Sequence, residues 1–362
     1  MSDKQACLFV CAQSPSITGA AGNRVARERI MKLAGEYEVD LVLIVNRRDP
    51  VSANLARELG VRSVAVFRVG KFAKLLGVLT HLASIPPRYS TRLSRAVLRH
   101  LGDMIEANRY ALARYEFSQA APYHGLLRSR VRSVLAAHDI QLQVVLRASL
   151  LERLLFSAPT YSFEERLFRC FDEITVLSNK DKSLIHGLYP YCNVTIEKPS
   201  LSTFVHSVRR VAENIEAGTL LFWGAMHRHE NEQAVLFFVR HCLPAIRAHF
   251  PGAVLYVVGN APPARMRKLQ SDGVVVTGFV EDPTPYFERA ALGVVPLLRG
   301  AGVKLKTLEM LKAGLPVVST YVGAEGVDDV EHGLTVVDPR GFAEAVINAL
   351  ERPAPAPVPG RK

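Results

Sequence analysis

The chain lacks any run of about 18 uncharged apolar residues, the length a helix needs to cross a bilayer, so no membrane span is expected in its 362 residues. Its first residues, MSDKQACLFVCAQ, place one lysine ahead of a short apolar segment and lack the charged n-region of a signal peptide. A cytoplasmic protein is therefore expected. Cysteine is scarce: Cys7, Cys11, Cys170, Cys192 and Cys242 are five, odd in number, scattered, and set mostly in apolar runs. They read as small buried hydrophobes, and neither a disulfide frame nor a metal site is expected. No repeat at solenoid periods is present, and G-x-x-x-x-G-K-[ST] is missing, which excludes a Walker loop.

Apolar residues make up 49% of the chain and charged residues 22%, which is too apolar for disorder. At about 150 residues per domain the length fits two domains. The formal net charge of +11 is local: between Arg62 and Arg132 thirteen Lys and Arg stand against Asp103, Glu106 and Glu116, a surplus of ten. Such a segment attracts polyanions. Aromatics are not interleaved with the charges as readers of single strands require, so nucleic acid is set aside. Within the segment, KFAKLLGVLTHL places Phe72, Leu75, Leu76, Leu79 and Leu82 at helical spacing, with Lys71 and Lys74 near the start. That is the pattern of an interfacial helix, and equally of the buried face of a core helix. Taken with the charge, it predicts a first domain that docks, peripherally, on an anionic membrane surface.

ACLFVCA (6–12), VDLVLIVN (39–46) and VRSVAVF (61–67) are short apolar runs separated by helical stretches, and SVLAAHDI and EITVLS continue the alternation. This is the signature of a parallel sheet with crossover helices. The pattern restarts with TLLFWG (219–224), an amphipathic helix over 231–250, AVLYVVG, GVVVTG, LGVVPL, LPVVST and LTVVD. The fold class is α/β: two Rossmann-like, doubly wound domains facing across a cleft, which is where open α/β sheets bind ligands. The boundaries are 1–197 for the first domain, 198–216 for a polar linker, 217–352 for the second domain and 353–362 for a flexible Pro-rich tail.

In RGAGVKLKTLEMLKAGLPVVST (299–320) a strand end runs through a glycine loop into a helix. Backbone N–H groups at a helix start favour an anion. Gly300 and Gly302 let the backbone approach it, Lys304 and Lys306 add charge, and Glu309 is placed near the first turn, within reach of ligand hydroxyls. The stretch reads as a diphosphate cradle with a carboxylate beside it.

Here the sequence resembles the retaining glycosyltransferases of the GT-B fold, family 4 and its relatives. The resemblance rests on LLFWGAMHRHENEQAVLFFVRHCLPAI, VVGNAPP, VTGFVEDPTPYFERA, GVVPLLRGAGVKLKTLEML and GLPVVSTYVGAEG, in family order and spacing. It implies that the second domain binds a nucleotide diphosphate sugar as donor substrate, with no other cofactor. Lys304 and Lys306 would face the diphosphate, Glu309 would hold the ribose, and the base would lie near Gly278 to Asp282. Gly224, Arg228, Gly259, Val280, Val303 and Thr307 would complete the donor site. In the first domain SPSITGAAGNRVARERIMKLA is similar to the family's opening glycine loop, with Gly19 and Gly22 near the diphosphate and Arg24 following. AAHDIQ resembles the family's strand-end His-Asp and places His138 beside the transferred sugar, making His138, Lys306 and Glu309 the catalytic candidates. Glu116 and Gln119 match a region that lines the acceptor side, or else sit on a helix or loop surface.

The family's E-x7-E is reduced to Glu309, because Ala301 occupies the first position; loop N–H groups would then meet the sugar hydroxyls. The basic residue after the first strand of the second domain is displaced to Arg228, and the chain stops short of the family's returning helix. The implied activity is a metal-independent hexosyl transfer, with retention, to a glycan or lipid-linked acceptor in polysaccharide or glycoconjugate synthesis at the inner face of the membrane. A degenerate binding or scaffold protein and a sugar-nucleotide epimerase remain as alternatives.

Overall fold

The computed structural model describes residues 4–16, 21–127, 130–271, 273–328 and 333–352. It divides into two units, Met1–Ser200 and Leu201–Lys362. Unit 1 holds β1 (Ala6–Cys11), β2 (Glu38–Asn46), β3 (Ser63–Val69), β4 (Tyr110–Glu116), β5 (Ser133–Ala136), β6 (Glu173–Val176) and β7 (Val194–Ile196) in one parallel sheet of order β3-β2-β1-β4-β5-β6-β7. Cys7 lies opposite Val39 and Cys11 opposite Leu43 across the central β1 and β2. Helices cover both faces of such a sheet, so its inner strands read as near-continuous apolar runs instead of alternating.

Unit 2 repeats the plan with β8 (Glu216–Trp223), β9 (Val254–Val258), β10 (Val274–Gly278), β11 (Ala290–Val295), β12 (Val317–Thr320) and β13 (Leu334–Val337), in the order β10-β9-β8-β11-β12-β13. In both sheets the winding direction reverses beside the first strand, between β1 and β4 and between β8 and β11. The helices that carry functional or exposed side chains are α1 (Ala21–Glu36), α2 (Lys71–His81), α3 (Pro87–Ser90), α4 (Gln141–Leu146), α5 (Leu150–Phe168), α6 (His229–Phe237) and α7 (Leu305–Lys312).

Several expectations change. β4 was not among the strands read above, because YALARYE interrupts its apolar run with Arg114 and Glu116. Glu116 is accordingly a fully buried strand end and not a surface residue. The helix expected over 231–250 is broken by a π-turn, Phe238–Cys242, ahead of Leu243–His249. Pro244 explains the break, since it has no N–H to continue the α-helical ladder. Cys170 is exposed, unlike the other four cysteines. The segment read as linker, 198–216, divides: Val205 and Val208 are buried in the core of unit 2. The tail 353–362 lies outside the described residues.

The basic segment also changes character. Arg114 is buried among carboxylates, Arg62 pairs with Glu38 and Asp40, and Arg88 pairs with Glu152. Less of the surplus of ten reaches solvent than the sequence count implies.

Candidate functional site

At the switch point of unit 2, Gly224 follows β8 with φ 152° and Gly259 follows β9 with φ 150°. Their backbones touch: a Cβ on Gly259 would stand 1.7 Å from the Gly224 carbonyl oxygen. A Cβ on Gly224 would meet Lys306 Nζ and Asn231 Nδ2, both at 3.2 Å. Glycine at 224 therefore makes room for Lys306, which reaches over from the first turn of α7. The Lys306 ammonium donates to Asn231 Oδ1 and lies 4.8 Å from the centroid of the Phe222 ring. Partial burial, with Arg228 and Lys304 adding like charge against Glu230, lowers its pKa from 10.5 to about 7. Arg228 precedes α6 and pairs with Glu230 at 2.5 Å.

The glycine loop has the backbone that its sequence requires, with φ 139° at Gly300 and 70° at Gly302. Lys304, expected to face a ligand, turns back on that loop. Its Nζ donates to the carbonyl oxygens of Ala301 (3.0 Å) and Gly302 (2.6 Å) and lies 3.5 Å from Glu325 Oε2. A buried ammonium takes the nearest acceptors, and here it fixes the loop. Thr307 is fully buried and donates to the Gly323 carbonyl at 2.6 Å, so its hydroxyl ties two loops together. Val280 and Val303 are half-buried, and Val280 packs against the core of unit 2. Gly278 ends β10 with φ 74°, and the neighbouring Phe279 is exposed.

Glu309 opens the second turn of α7, close to the first as expected, but it is buried. Its Oε1 accepts from Ser202 N (3.0 Å) and Oγ (2.6 Å), and its Oε2 from Trp223 Nε1 (2.8 Å). It fastens the segment preceding β8 and the end of β8 to α7. Neither Ser202 nor Trp223 was expected in the site.

Unit 1 brings different chemistry to the ends of β4, β5 and β7. Glu116 accepts from His138 Nε2 at 2.6 Å and from Arg29 Nη1 at 2.7 Å, while Arg114 Nε donates to its second oxygen at 3.1 Å. Glu197 pairs with Arg114 at 2.5 Å and with Arg29 at 3.2 Å. Burial alone would raise the pKa of Glu116; Arg29, Arg114 and the bond from His138 override it and hold the carboxyl far below the usual range. Because a carboxylate only accepts, the bond assigns the proton to His138 Nε2. His138 stacks on Phe117 with centroids 4.1 Å apart, and Phe117 itself has φ 72°. A Cβ on Gly22 would stand 3.2 Å from Phe117 and 3.5 Å from His138 Nδ1, so the glycine lets α1 lie against this pair. Gln119 is half-buried just after β4, Arg24 lies in the first turn of α1, and Gly19 falls outside the described residues. The sequence does hold a signal for this network: Arg114 and Glu116, two apart in an apolar run, share one face of a strand.

Residues 217–352 match the family model described as glycosyl transferases group 1. That match falls entirely within unit 2. A protein of the cps region of Klebsiella pneumoniae, described as uncharacterized, is 26% identical over 162 residues, 41% of this chain and 42% of that protein's length. The sucrose-phosphate synthase of Thermosynechococcus elongatus superposes with a TM-score of 0.66 at 16% identity, covering 96% of this chain and 89% of the other. WaaG, a glycosyltransferase involved in lipopolysaccharide biosynthesis, gives 0.63 at 16% identity over 96% and 90% of the two chains. HepE of Anabaena, solved with UDP and glucose, gives 0.63 at 13% identity with the same coverage. The two sheets are therefore those of the GT-B fold.

Proposed function

We propose that the chain transfers a hexosyl group from a nucleotide diphosphate sugar to a glycan or lipid-linked acceptor in polysaccharide or glycoconjugate synthesis. The observation that carries this reading is Lys306: a half-buried ammonium, short of countercharge, at the switch point of a group 1 glycosyltransferase domain. As the glycosidic bond breaks, negative charge grows on the leaving diphosphate, and Lys306 with Arg228 and the loop N–H groups of 300–303 would stabilise it without a metal ion. Phe279 beside Gly278 offers the base an aromatic face. No covalent nucleophile is assigned in this scheme. The acceptor attacks on the face the diphosphate leaves, with retention, and His138 stands on the sugar side. The relatives named for lipopolysaccharide synthesis and for the cps region favour a glycoconjugate acceptor, presented at the anionic inner face of a membrane where the basic segment would dock.

Calorimetric titration with nucleoside diphosphates tests the donor half. Lys306 loses its proton above about pH 7 in the free protein, and a bound diphosphate restores it. Affinity should therefore fall as pH rises above that value, with up to one proton taken up per ligand. Lys306→Ala should abolish the uptake and lose ~2–4 kcal/mol of transition-state stabilisation in kcat/KM. Binding without proton uptake, and unchanged in the variant, would remove Lys306 from the site.

One arrangement favours the binding-only alternative: Lys304 and Glu309 are both engaged within the protein. Tight nucleotide binding with no transfer or hydrolysis of any nucleotide sugar would decide for it.

A further inference from the structure

Two helices of unit 1 leave their apolar side chains in solvent, and one short helix touches both. On α2 and at its C-terminal cap, Phe72 is 78% exposed and Leu75, Leu76, Leu79 and Leu82 are each at least half exposed, so the stripe is not the buried face of a core helix. At about 100° per residue the stripe is about 120° wide. Gly77, on the opposite side, is the buried residue of α2. A Cβ there would lie 2.8 Å from the Ser90 carbonyl oxygen, so α2 rests on α3 by its backbone and turns its leucines outward.

The second helix is α5. Its buried residues begin at Thr160, while Leu150, Leu151, Leu154 and Leu155 in its first half are all more than half exposed, as is nearly half of Leu146 at the end of α4. The buried half is pinned. Glu164 accepts from Tyr89 Oη at 2.6 Å, Tyr189 Oη at 2.7 Å and the N–H of Gln141 at 2.8 Å. Tyr89 belongs to α3, the helix under α2, and Arg88 of α3 reaches Glu152 of α5 at 2.6 Å. α3 thus bridges the two leucine faces.

We infer that α2 and the first half of α5 form a two-helix apolar face that inserts into the headgroup region of an anionic membrane. The inference deepens the membrane reading of unit 1 and does not depend on the transfer chemistry. Charge selects the occupant. From Leu59 to Gly102 the chain has no Asp or Glu, and Lys71, Arg147 and Arg153 stand exposed beside the leucines. A second copy of the chain would bring the same positive charge against this face; an anionic leaflet complements both the charge and the leucines. Because part of the basic surplus is bound up in internal ion pairs, apolar insertion carries more of the attachment than electrostatic docking alone would.

The test is co-sedimentation of the full chain with phosphatidylcholine vesicles, with and without phosphatidylglycerol, at low and at high salt. The wild type should bind the anionic vesicles and keep part of that binding at high salt, where screening removes the electrostatic share. Leu75→Glu with Leu79→Glu, and separately Leu151→Glu with Leu154→Glu, should each lower the partition by about a hundredfold, two leucines at about tenfold each. Both pairs should leave the melting temperature and nucleoside-diphosphate binding unchanged. Wild type that ignores anionic vesicles at low salt overturns the membrane reading itself. Wild type that binds, with both leucine pairs binding equally well, overturns the two-helix face and leaves surface charge as the attachment. A dimer in sedimentation that the same substitutions dissolve makes a second copy the occupant and likewise overturns it.

Discussion

Both units end a Rossmann-like sheet in ionisable side chains, yet they differ in how fully those charges are answered. In unit 1, Arg29 and Arg114 meet Glu116 and Glu197 within 3.2 Å, and His138 completes the set. In unit 2, Lys306 leans on an amide oxygen and an aromatic face, and its pKa falls to about 7. A balanced buried network holds its own geometry without a ligand. A partly desolvated ammonium beside like charges gains most when an anion arrives. The difference separates a unit whose charges are answered within the protein from one that, on the proposed reading, its substrate completes.

The comparison breaks most visibly at Glu116. Glu116→Gln leaves two buried guanidinium groups with one carboxylate between them, and loss of a partner from a buried network costs about 3–5 kcal/mol. The pH dependence has a definite sign. The carboxyl is held below its ordinary value of 4.5, so its contribution is complete above that pH and is lost as pH falls below it. Urea unfolding should show wild-type stability declining from about pH 4.5 downward, with a shallower decline in the variant. Equal stability of the two proteins at neutral pH would mean that the network does not hold unit 1 together.

Glu309→Gln is the smaller counterpart in unit 2. An amide cannot accept at both positions, so an N–H group would confront Ser202 or Trp223, and an unsatisfied buried donor costs about 1–3 kcal/mol. The sequence places Glu309 near the first turn, within reach of ligand hydroxyls; with three internal donors on the carboxylate, a lower urea midpoint is expected. If calorimetry then finds donor affinity reduced in a variant of unchanged midpoint, the carboxylate serves the ligand after all.

What the sequence discloses follows from the range of the interactions. Apolar runs mark β1, β2, β3, β5 and β6 and the six strands of unit 2, while β4 hides behind Arg114 and Glu116 and β7 has only three residues. The glycines at 224, 300 and 302 and the lysine at 306 are legible because loop chemistry is local. The partners of Glu309 and Arg29 are not, since they lie between 86 and 168 residues away. Periodicity identifies the stripe of α2 but not which side meets solvent; the backbone contact at Gly77 decides that. On α5 the exposed leucines precede a buried half of the same helix, so no single amphipathic face marks them in advance.

The smallest effect on stability is expected at His138, and it sharpens the comparison. In His138→Ala, Glu116 keeps both guanidinium partners, so the variant loses one hydrogen bond and the stack on Phe117, about 1 kcal/mol. Nε2 is committed to Glu116, and Nδ1 is the nitrogen beside Gly22. The proposed function assigns His138 to the sugar, and a residue so placed acts on the transition state more than on the nucleotide, so kcat for transfer should fall by more than nucleoside-diphosphate affinity does. His138→Asn provides the control: its amide can restore a hydrogen bond to Glu116, and with it stability, without restoring an imidazole to the sugar side. Stability rescued by asparagine while kcat stays low assigns the ring to the reaction. Recovery of both together would make His138 one more member of the preformed network of unit 1, and the chemistry would then rest on the cations of unit 2.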